Sequence, residues 1–398
     1  MITPEGSSAC VKTMFSSVCQ PGQKVIVDRC SHVSVIDSLA LLGLCPVWMF
    51  RQQDENFPLG KPLGGEEIEK ALELNPDVSA VFITGEDYYG FSPDVAAISA
   101  VCRRFGLPLL VDNAHGAYLN FFKKHPMQLG ASMCCDSWHK TLPALGAAAV
   151  LHMAQQFDSE VVKTKMRFFS STSPSYLVML SMDLCADYLC DEFNLEFKAL
   201  LPRLLELKQE AHKLGFRVLN KDYPSVLKLT ISGLEIGKTG FEIASQLREQ
   251  AIEPEYADYN CVVLLVSPFN KKSDFLRVKE VLVYISAKSR GMVRASFFPG
   301  CAGEKYQKKH SIWALPKNKL RPVCYNLKHK PEVAMDVRSA TFAPGKRVLV
   351  EESEGKVAAL ERVNCPPGLP VVVPGEVISK EAVLIMQECG VREINIIS

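Results

Sequence analysis

The feature that most constrains the fold of this chain is a regular alternation of strand-like and helix-like segments through its first third. Short apolar runs alternate with amphipathic stretches of helical spacing. The predicted strands are KVIVD at 24–28, PVWMF at 46–50, SAVFIT at 79–84 and PLLVD at 108–112, and the helices between the later ones are 66–75 and 94–106. This alternation predicts an α/β protein with a parallel-rich, doubly wound sheet and right-handed crossovers.

Composition and charge narrow the class of protein. The chain has 398 residues, of which 47% are hydrophobic and 22% charged, so it is long enough for two or three globular domains. A formal charge of +1 gives no reason to expect nucleic acid or a membrane surface as a partner. The 14 cysteines include no C-x-x-C pair, and the N-terminus has no secretory pattern, so we expect a cytoplasmic protein.

The strongest motif lies between Leu107 and Leu145. A predicted buried strand ends at Asp112, and Lys140 follows a second apolar run further along the chain. An acid at the carboxyl end of a strand lies where open α/β sheets bind ligands. Pyridoxal phosphate needs a lysine amine for a Schiff base and a carboxylate beside its pyridine nitrogen, so Lys140 and Asp112 suit this cofactor. A metal site at Asp112 and His115 is disfavoured, because no third ligand lies at metal spacing and no HExxH occurs.

Two earlier segments carry further candidate residues. Gly6, Ser7 and Ser8 precede a predicted helix, whose free amides favour an anion such as a cofactor phosphate, although an ordinary serine cap is the alternative. His32 follows the strand at 24–28, where a lone histidine is more often a helix cap.

Together these segments resemble a known family. VDNAHGAY at 111–118, Ser137 and HKTLPAL at 139–145 resemble the core of the bacterial ornithine/lysine/arginine decarboxylases, which have the aspartate aminotransferase fold, fold type I. DRCSHVS at 28–34 and STSPSY at 171–176 match further family motifs. The resemblance implies a pyridoxal 5'-phosphate enzyme that acts on a basic amino acid as a homodimer or higher even oligomer.

The resemblance also implies a role for each site residue. We expect Lys140, Asp112 and His139 to be catalytic: Lys140 forms the Schiff base, Asp112 pairs with the pyridinium nitrogen, and His139 or Lys140 donates a proton to the product. The expected cofactor-binding residues are Gly6, Ser7, Ser8, His32, Asp112, Ala114, His115, Ser137, His139, Lys140 and Thr172. Among these, His32 and Ala114 would lie on opposite ring faces, and Thr172 would reach the neighbouring subunit's cofactor.

The same comparison predicts the domain organisation. We expect a cofactor-binding large domain at 1–190, a small α/β domain at 191–300, a linker at 301–334 and a C-terminal α+β domain at 335–398. In the family a further segment precedes the loop that corresponds to Gly6, Ser7 and Ser8. Here Met1 falls almost on this loop, so we expect the large domain to be N-terminally incomplete.

The predicted reaction is decarboxylation of arginine, lysine or ornithine to the amine and carbon dioxide, whether for polyamine supply or for acid resistance. An aminotransferase or another lyase of the same fold is one alternative. A truncated, non-catalytic paralogue that joins a full-length homologue is the other.

Overall fold

The structure, a computed structural model, describes residues 1–191, 193–219, 227–290, 320–323, 325, 327–360 and 369–398. These residues form two compact units, one of Met1–Asp191 with Cys324–Ser398 and the other of Glu192–Val323. The C-terminal block therefore belongs with the N-terminal part of the chain, although the whole second unit separates them in sequence. Most of the predicted linker at 301–334 lies outside the described residues.

A seven-stranded sheet forms the centre of the first unit. In chain order its strands are β1 (Ile2–Thr3), β2 (Lys24–Asp28), β3 (Cys45–Met49), β4 (Val78–Thr84), β5 (Leu109–Asp112), β6 (Met133–Ser137) and β7 (Ala149–Met153). They lie in the order β1-β7-β6-β5-β4-β2-β3, and β3, β2, β4, β5 and β6 are parallel. The predicted parallel-rich, doubly wound sheet is confirmed.

The strand β7 was not predicted, and it pairs antiparallel with both β6 and β1. Residues 138–148 connect β6 to β7 and contain only one helical turn. A parallel return needs a crossover of a dozen or more residues, usually with a full helix, so this short connection accommodates an antiparallel neighbour.

Helices cover both faces of this sheet. They are α1 (Ser7–Val18), α2 (Val33–Leu42), α3 (Gly65–Leu74), α4 (Val95–Arg104), the single turn α5 (Trp138–Thr141), α6 (Ser159–Arg167) and α7 (Tyr176–Asp191). Strand residues alternate between the faces: Val25 and Val27 pack with α1, α2 and α6, whereas Ile26 packs with α3 and α4. Phe15 of α1 stacks on Phe82 of β4 with ring centroids 4.9 Å apart. Burial of each such side chain contributes about 2–3 kcal/mol.

The parallel strands bring four polar residues to one edge of the sheet. Asp28, Thr84, Asp112 and Ser137 are the last residues of β2, β4, β5 and β6. Because these strands share one direction, their carboxyl ends and following loops face the same crevice, where α/β sheets bind ligands.

The second unit contains a smaller, antiparallel sheet. Its elements are α8 (Phe193–Lys213), β8 (Arg217–Val218), β9 (Lys228–Ser232), α9 (Gly240–Glu249), β10 (Tyr256–Ala257), β11 (Val262–Leu265) and α10 (Lys272–Ser289), with the strands in the order β10-β11-β9-β8. The strands β9 and β11 coincide with the apolar, partly β-branched runs KLTIS and VVLL, and the amphipathic helix α9 lies between them in sequence. A capping box starts α9, since Glu242 N–H donates to Thr239 Oγ1 and Thr239 N–H donates to the Glu242 carboxylate.

The C-terminal block adds α11 (Val337–Phe342), β12 (Gly345–Leu349), α12 (Lys380–Glu388) and β13 (Glu393–Ile397), with β12 and β13 antiparallel. An apolar cluster that includes Val350, Met386 and Ile394 forms its core. Arg29, which follows β2, forms a buried ion pair with Glu376 of this block at 3.0 Å. Among the described residues, no helix combines the length and apolar character needed to cross a bilayer.

Candidate active site

Asp112 lies at the carboxyl end of β5 and is only 6% exposed. Its Oδ1 accepts hydrogen bonds from the backbone N–H of Ala114 at 3.0 Å and from the Cys135 thiol at 3.5 Å. Burial raises the pKa of the Cys135 thiol well above its ordinary value, so this thiol keeps its proton and donates it. None of the described residues hydrogen-bonds the second oxygen, Oδ2, which is therefore available to a ligand.

The turn after Asp112 presents two more predicted residues. The Asn113 N–H donates to the Cys135 carbonyl at 2.9 Å, and the Gly116 N–H donates to the Asn113 carbonyl at 2.8 Å. These bonds close a tight turn on which Ala114 and His115 lie. Ala114 is buried, and its side chain is only a methyl group.

Lys140 is brought to this turn by β6 and α5. Its Nζ lies 3.1 Å from His115 Nε2. An ammonium group can only donate, so His115 Nε2 accepts this bond and can take a proton from the amine. The ring of Tyr88 lies edge-on to the His115 ring, with centroids 4.6 Å apart. The structure thus places Lys140 and His115, two residues predicted from the motif, in direct contact.

His32 is the N-cap of α2, which is the alternative role that the sequence analysis gave for a lone histidine at this position. Its Nδ1 accepts a hydrogen bond from the Ser34 N–H at 3.2 Å, so the ring proton is on Nε2. Burial lowers the pKa of His32, opposed by the charge of Asp112 and reinforced by that of Lys140. His32 therefore lies within electrostatic reach of both residues and stays neutral near pH 7.

A second group of predicted residues meets at the N-terminus of α1. Gly6 occupies the N-cap position with φ 75°, a backbone conformation that favours glycine, and donates its N–H to the Ala147 carbonyl at 2.8 Å. A Cβ at Gly6 would meet no atom within 4 Å, so the space beside this helix end is open. The Ser137 hydroxyl donates to the Ser7 hydroxyl at 2.9 Å. Together with Ser8, these groups and the helix amides can bind an anion.

Two predicted residues lie less directly in the site. His139 Nδ1 donates to the Ala148 carbonyl at 3.0 Å, which leaves Nε2 as an acceptor. Thr172 is exposed and has no hydrogen bond with any described residue. The neighbouring Ser171 N–H donates to the Glu5 carboxylate at 3.3 Å. The loop that carries Thr172 therefore lies beside Glu5, the residue before Gly6.

Sequence reasoning missed the buried polar network behind these residues. Arg51 binds Asp28 at 2.7 Å and Asp87 at 3.3 Å, and Asp87 also accepts from the backbone N–H groups of Tyr89 and Phe91. Burial alone would lower the pKa of Arg51, but the two carboxylates outweigh burial and raise it. The sequence feature that could have indicated this network is the pair of acids Glu86 and Asp87 in GEDYYG at 85–90, directly after β4.

Comparison with known proteins gives the family. The model of the Orn/Lys/Arg decarboxylase major domain matches residues 2–223, and that of the C-terminal domain of the same family matches residues 324–387. The chain is 28% identical over 404 residues to an arginine decarboxylase of Halalkalibacterium halodurans, covering 96% of this chain and 76% of the relative. It is 25% identical over 391 residues to an arginine decarboxylase of Bacillus subtilis, covering 95% and 75%.

Solved structures agree with the fold. Lysine decarboxylase A from Pseudomonas aeruginosa aligns with a TM-score of 0.75 at 18% identity, over all of this chain and 69% of that chain. The constitutive lysine decarboxylase of Escherichia coli aligns with a TM-score of 0.74 at 17% identity, over all of this chain and 70% of that one. The chain therefore belongs to the Orn/Lys/Arg decarboxylase family and has the α/β architecture of fold type I.

Proposed function

We propose that this protein is a pyridoxal-phosphate-dependent decarboxylase of a basic amino acid: arginine, lysine or ornithine. The observation that carries the proposal is the contact of Lys140 with His115 on the turn that also carries the buried Asp112 carboxylate. Membership of the Orn/Lys/Arg decarboxylase family favours carboxyl loss over the other reactions that this fold supports. The named relatives include arginine and lysine decarboxylases, which supports a basic substrate.

The residues present fit this cofactor. Asp112 Oδ2 has no partner among the described residues and is a carboxylate oxygen suited to the pyridinium nitrogen. Open space beside Gly6, with the Ser7 and Ser137 hydroxyls, suits the phosphate. Lys140 would attach the cofactor covalently, and His32 and Ala114 would hold its two ring faces. When bound, the cofactor supplies an electron sink for the electron pair that remains when carbon dioxide leaves.

The chain's own residues would then bind, orient and move protons. A lysine must be neutral to act as a nucleophile. His115 Nε2 lies within hydrogen-bond distance of Lys140 Nζ and can accept its proton. Asp112 would place its carboxylate beside the ring nitrogen. His139, whose Nδ1–H is held by the Ala148 carbonyl, presents Nε2 for a proton that it or Lys140 returns to the product carbon.

We also propose that the active enzyme is a homodimer or a higher even assembly in the cytoplasm. Exposed apolar side chains follow one face of α7, namely Tyr176, Leu177, Leu180 and Leu184. This stripe begins directly after the Thr172 loop, which would reach the neighbouring copy's site. All described cysteines are free thiols, which supports a reducing compartment.

The first test is an absorbance spectrum of the purified protein with added pyridoxal phosphate, before and after borohydride. We expect a cofactor band that borohydride abolishes, that is absent from Lys140→Ala and that persists in Lys24→Ala, a control at a surface lysine. Release of carbon dioxide and amine from arginine, lysine or ornithine then identifies the substrate.

Two outcomes would contradict the proposal. A cofactor band with keto-acid formation and no carbon dioxide would favour an aminotransferase. If wild type shows no band and no activity, but copurifies with a full-length homologue, the non-catalytic paralogue is the better assignment.

A further inference from the structure

A cluster of three side chains lies behind the Asp112 turn and has no part in the proposed chemistry. Asp136 is the residue before Ser137 in β6, and its side chain is 3% exposed. His125 Nε2 lies 3.0 Å and His152 Nε2 lies 2.9 Å from its Oδ2. The two imidazole rings meet edge to face, with centroids 5.0 Å apart. A buried carboxylate can only accept, so both histidines donate to it.

The hydrogen bonds from the two histidines keep Asp136 ionised. Burial alone would raise the pKa of Asp136, but the hydrogen bonds from His125 and His152 outweigh burial and hold that pKa well below its usual range. The carboxylate is therefore ionised at any working pH and is a strong, permanent acceptor.

Asn113 connects this carboxylate to the active-site turn. The side-chain Nδ2 of Asn113 donates to Asp136 Oδ1 at 2.7 Å, and the backbone carbonyl of Asn113 accepts from the Gly116 N–H. Its amide oxygen is buried without a hydrogen-bond partner among the described residues, so the orientation of the amide depends on Asp136. A Cβ at Gly116 would collide with this same amide, which shows how closely the turn packs around it.

The three side chains also form the kind of nitrogen and oxygen set that binds zinc, and their ligand atoms lie within 4.8 Å of one another. The proton on His125 argues against a metal. The Met127 N–H donates to His125 Nδ1 at 3.3 Å, so the ring proton is on Nε2, the atom that faces Asp136. A nitrogen that carries a proton cannot bind a metal, and the geometry is that of a hydrogen-bonded network.

We propose that Asp136, held by His125 and His152, is a positioning residue that fixes the Asn113 amide and, through it, the turn at 112–116. This turn presents Asp112, Ala114 and His115 to the cofactor, so the inference rests on the proposed function for its effect on the cofactor. The fixing of the turn itself does not depend on that function.

The first measurement uses the protein without cofactor. Ala114 and Gly116 donate their amide hydrogens within the turn, so hydrogen exchange at these two amides reports its order. We expect Asp136→Asn to speed their exchange about tenfold beyond the change in global stability. The control is Asp258→Asn in the other unit, a buried carboxylate that accepts from the Asn260 and Cys261 N–H groups. Equal exchange in the two variants would overturn the inference.

The second measurement is the affinity for pyridoxal phosphate. We expect Asp136→Asn and His152→Ala to weaken binding about tenfold, and His152→Gln, which keeps a donor, to recover most of it. His152 is 35% exposed on its side chain, so its variants should fold even if Asp136→Asn does not. Unchanged affinity in all three variants would overturn the role toward the cofactor.

The outcomes separate the two proposals. If wild type binds no pyridoxal phosphate while the turn still loosens in Asp136→Asn, the proposed function fails and the positioning of the turn stands. If wild type binds the cofactor and neither exchange nor affinity responds to Asp136, the inference fails and the function stands. One equivalent of Zn²⁺ bound by wild type and lost in Asp136→Asn would replace the hydrogen-bonded network by a metal site.

Discussion

At the residue scale, His32 illustrates how one side chain serves two purposes. As the N-cap it completes the first turn of α2, and as a neutral ring it lies within reach of the charges of Asp112 and Lys140. A neutral ring is better suited than an imidazolium to lie on a protonated pyridine, because like charges repel. Burial therefore supports the role that we propose for His32.

This depressed pKa predicts a pH dependence of stability. The unfolded chain takes up a proton at His32 as the pH falls through about 6.5, whereas the folded chain resists it. Stability contributed by the neutral ring is therefore present above pH 6.5 and is lost as the pH falls below it. We expect His32→Phe to reduce this loss in urea unfolding between pH 7 and 5. His329→Phe, at an exposed histidine, is the control, and equal slopes in the two variants would contradict the prediction.

At the element scale, α2 depends on contacts from distant parts of the chain. Gly43 ends the helix in the left-handed conformation, and Arg338 of α11 donates to the carbonyls of Ala40 and Leu41 at 2.8 Å. These carbonyls belong to the last turn of the helix, where a cation also interacts favourably with the helix dipole. The orientation of α2 and of its cap, His32, is thereby coupled to the C-terminal block.

We expect Arg338→Ala to lower the free energy of unfolding by about 1–2 kcal/mol, because two carbonyls lose a charged donor. Arg338→Lys should recover part of the loss. Thermal and urea unfolding measure both, with Arg347→Ala, at an exposed ion pair of the same unit, as the control. A loss no greater than that of Arg347→Ala would show that the contact contributes little.

At the scale of the whole molecule, the ion pair of Arg29 and Glu376 joins the two sequence-distant parts of the first unit. Arg29 also donates to the carbonyls of Pro370 and Val371, and the Val373 N–H donates to Glu376. Both charged side chains are almost fully buried. Because Arg29 directly follows Asp28 at the end of β2, the C-terminal block is anchored at the edge of the sheet where the site lies.

Removal of one partner should be more harmful than removal of both. We expect Glu376→Leu or Arg29→Met alone to cost about 3–5 kcal/mol, because a buried charge loses its partner. The double variant should recover much of this loss, and a double-mutant cycle in urea measures the coupling. Strict additivity of the two single changes would contradict the prediction.

The proposed assembly gives a further prediction at this scale. Leu180→Glu places a charge in the exposed apolar stripe of α7 and should shift the protein towards monomer in sedimentation equilibrium. Leu74→Glu, at an exposed leucine that ends α3, is the control. If Leu180→Glu assembles as wild type does, another surface forms the contact.

Much of the fold and part of the site followed from local sequence. The strands β2, β4 and β5 and the helices α1, α3 and α4 are readable because hydrophobic periodicity depends on near neighbours along the chain. The position of Asp112 at the end of β5 was predicted in the same way, and the structure brings Lys140, on the helical turn α5 that follows β6, to His115. The individual roles of the site residues stay predictions.

The remaining features depend on how distant segments meet. The antiparallel β7, the ion pair of Arg29 with Glu376 and the histidines that hold Asp136 join positions whose separation in sequence carries no periodic signal. Such contacts are set by strand order and by the paths of loops, since a buried charge is tolerated only where folding delivers its partners. Local pattern thus specified the sheet and the ends of its strands, and long-range packing specified the polar network around them.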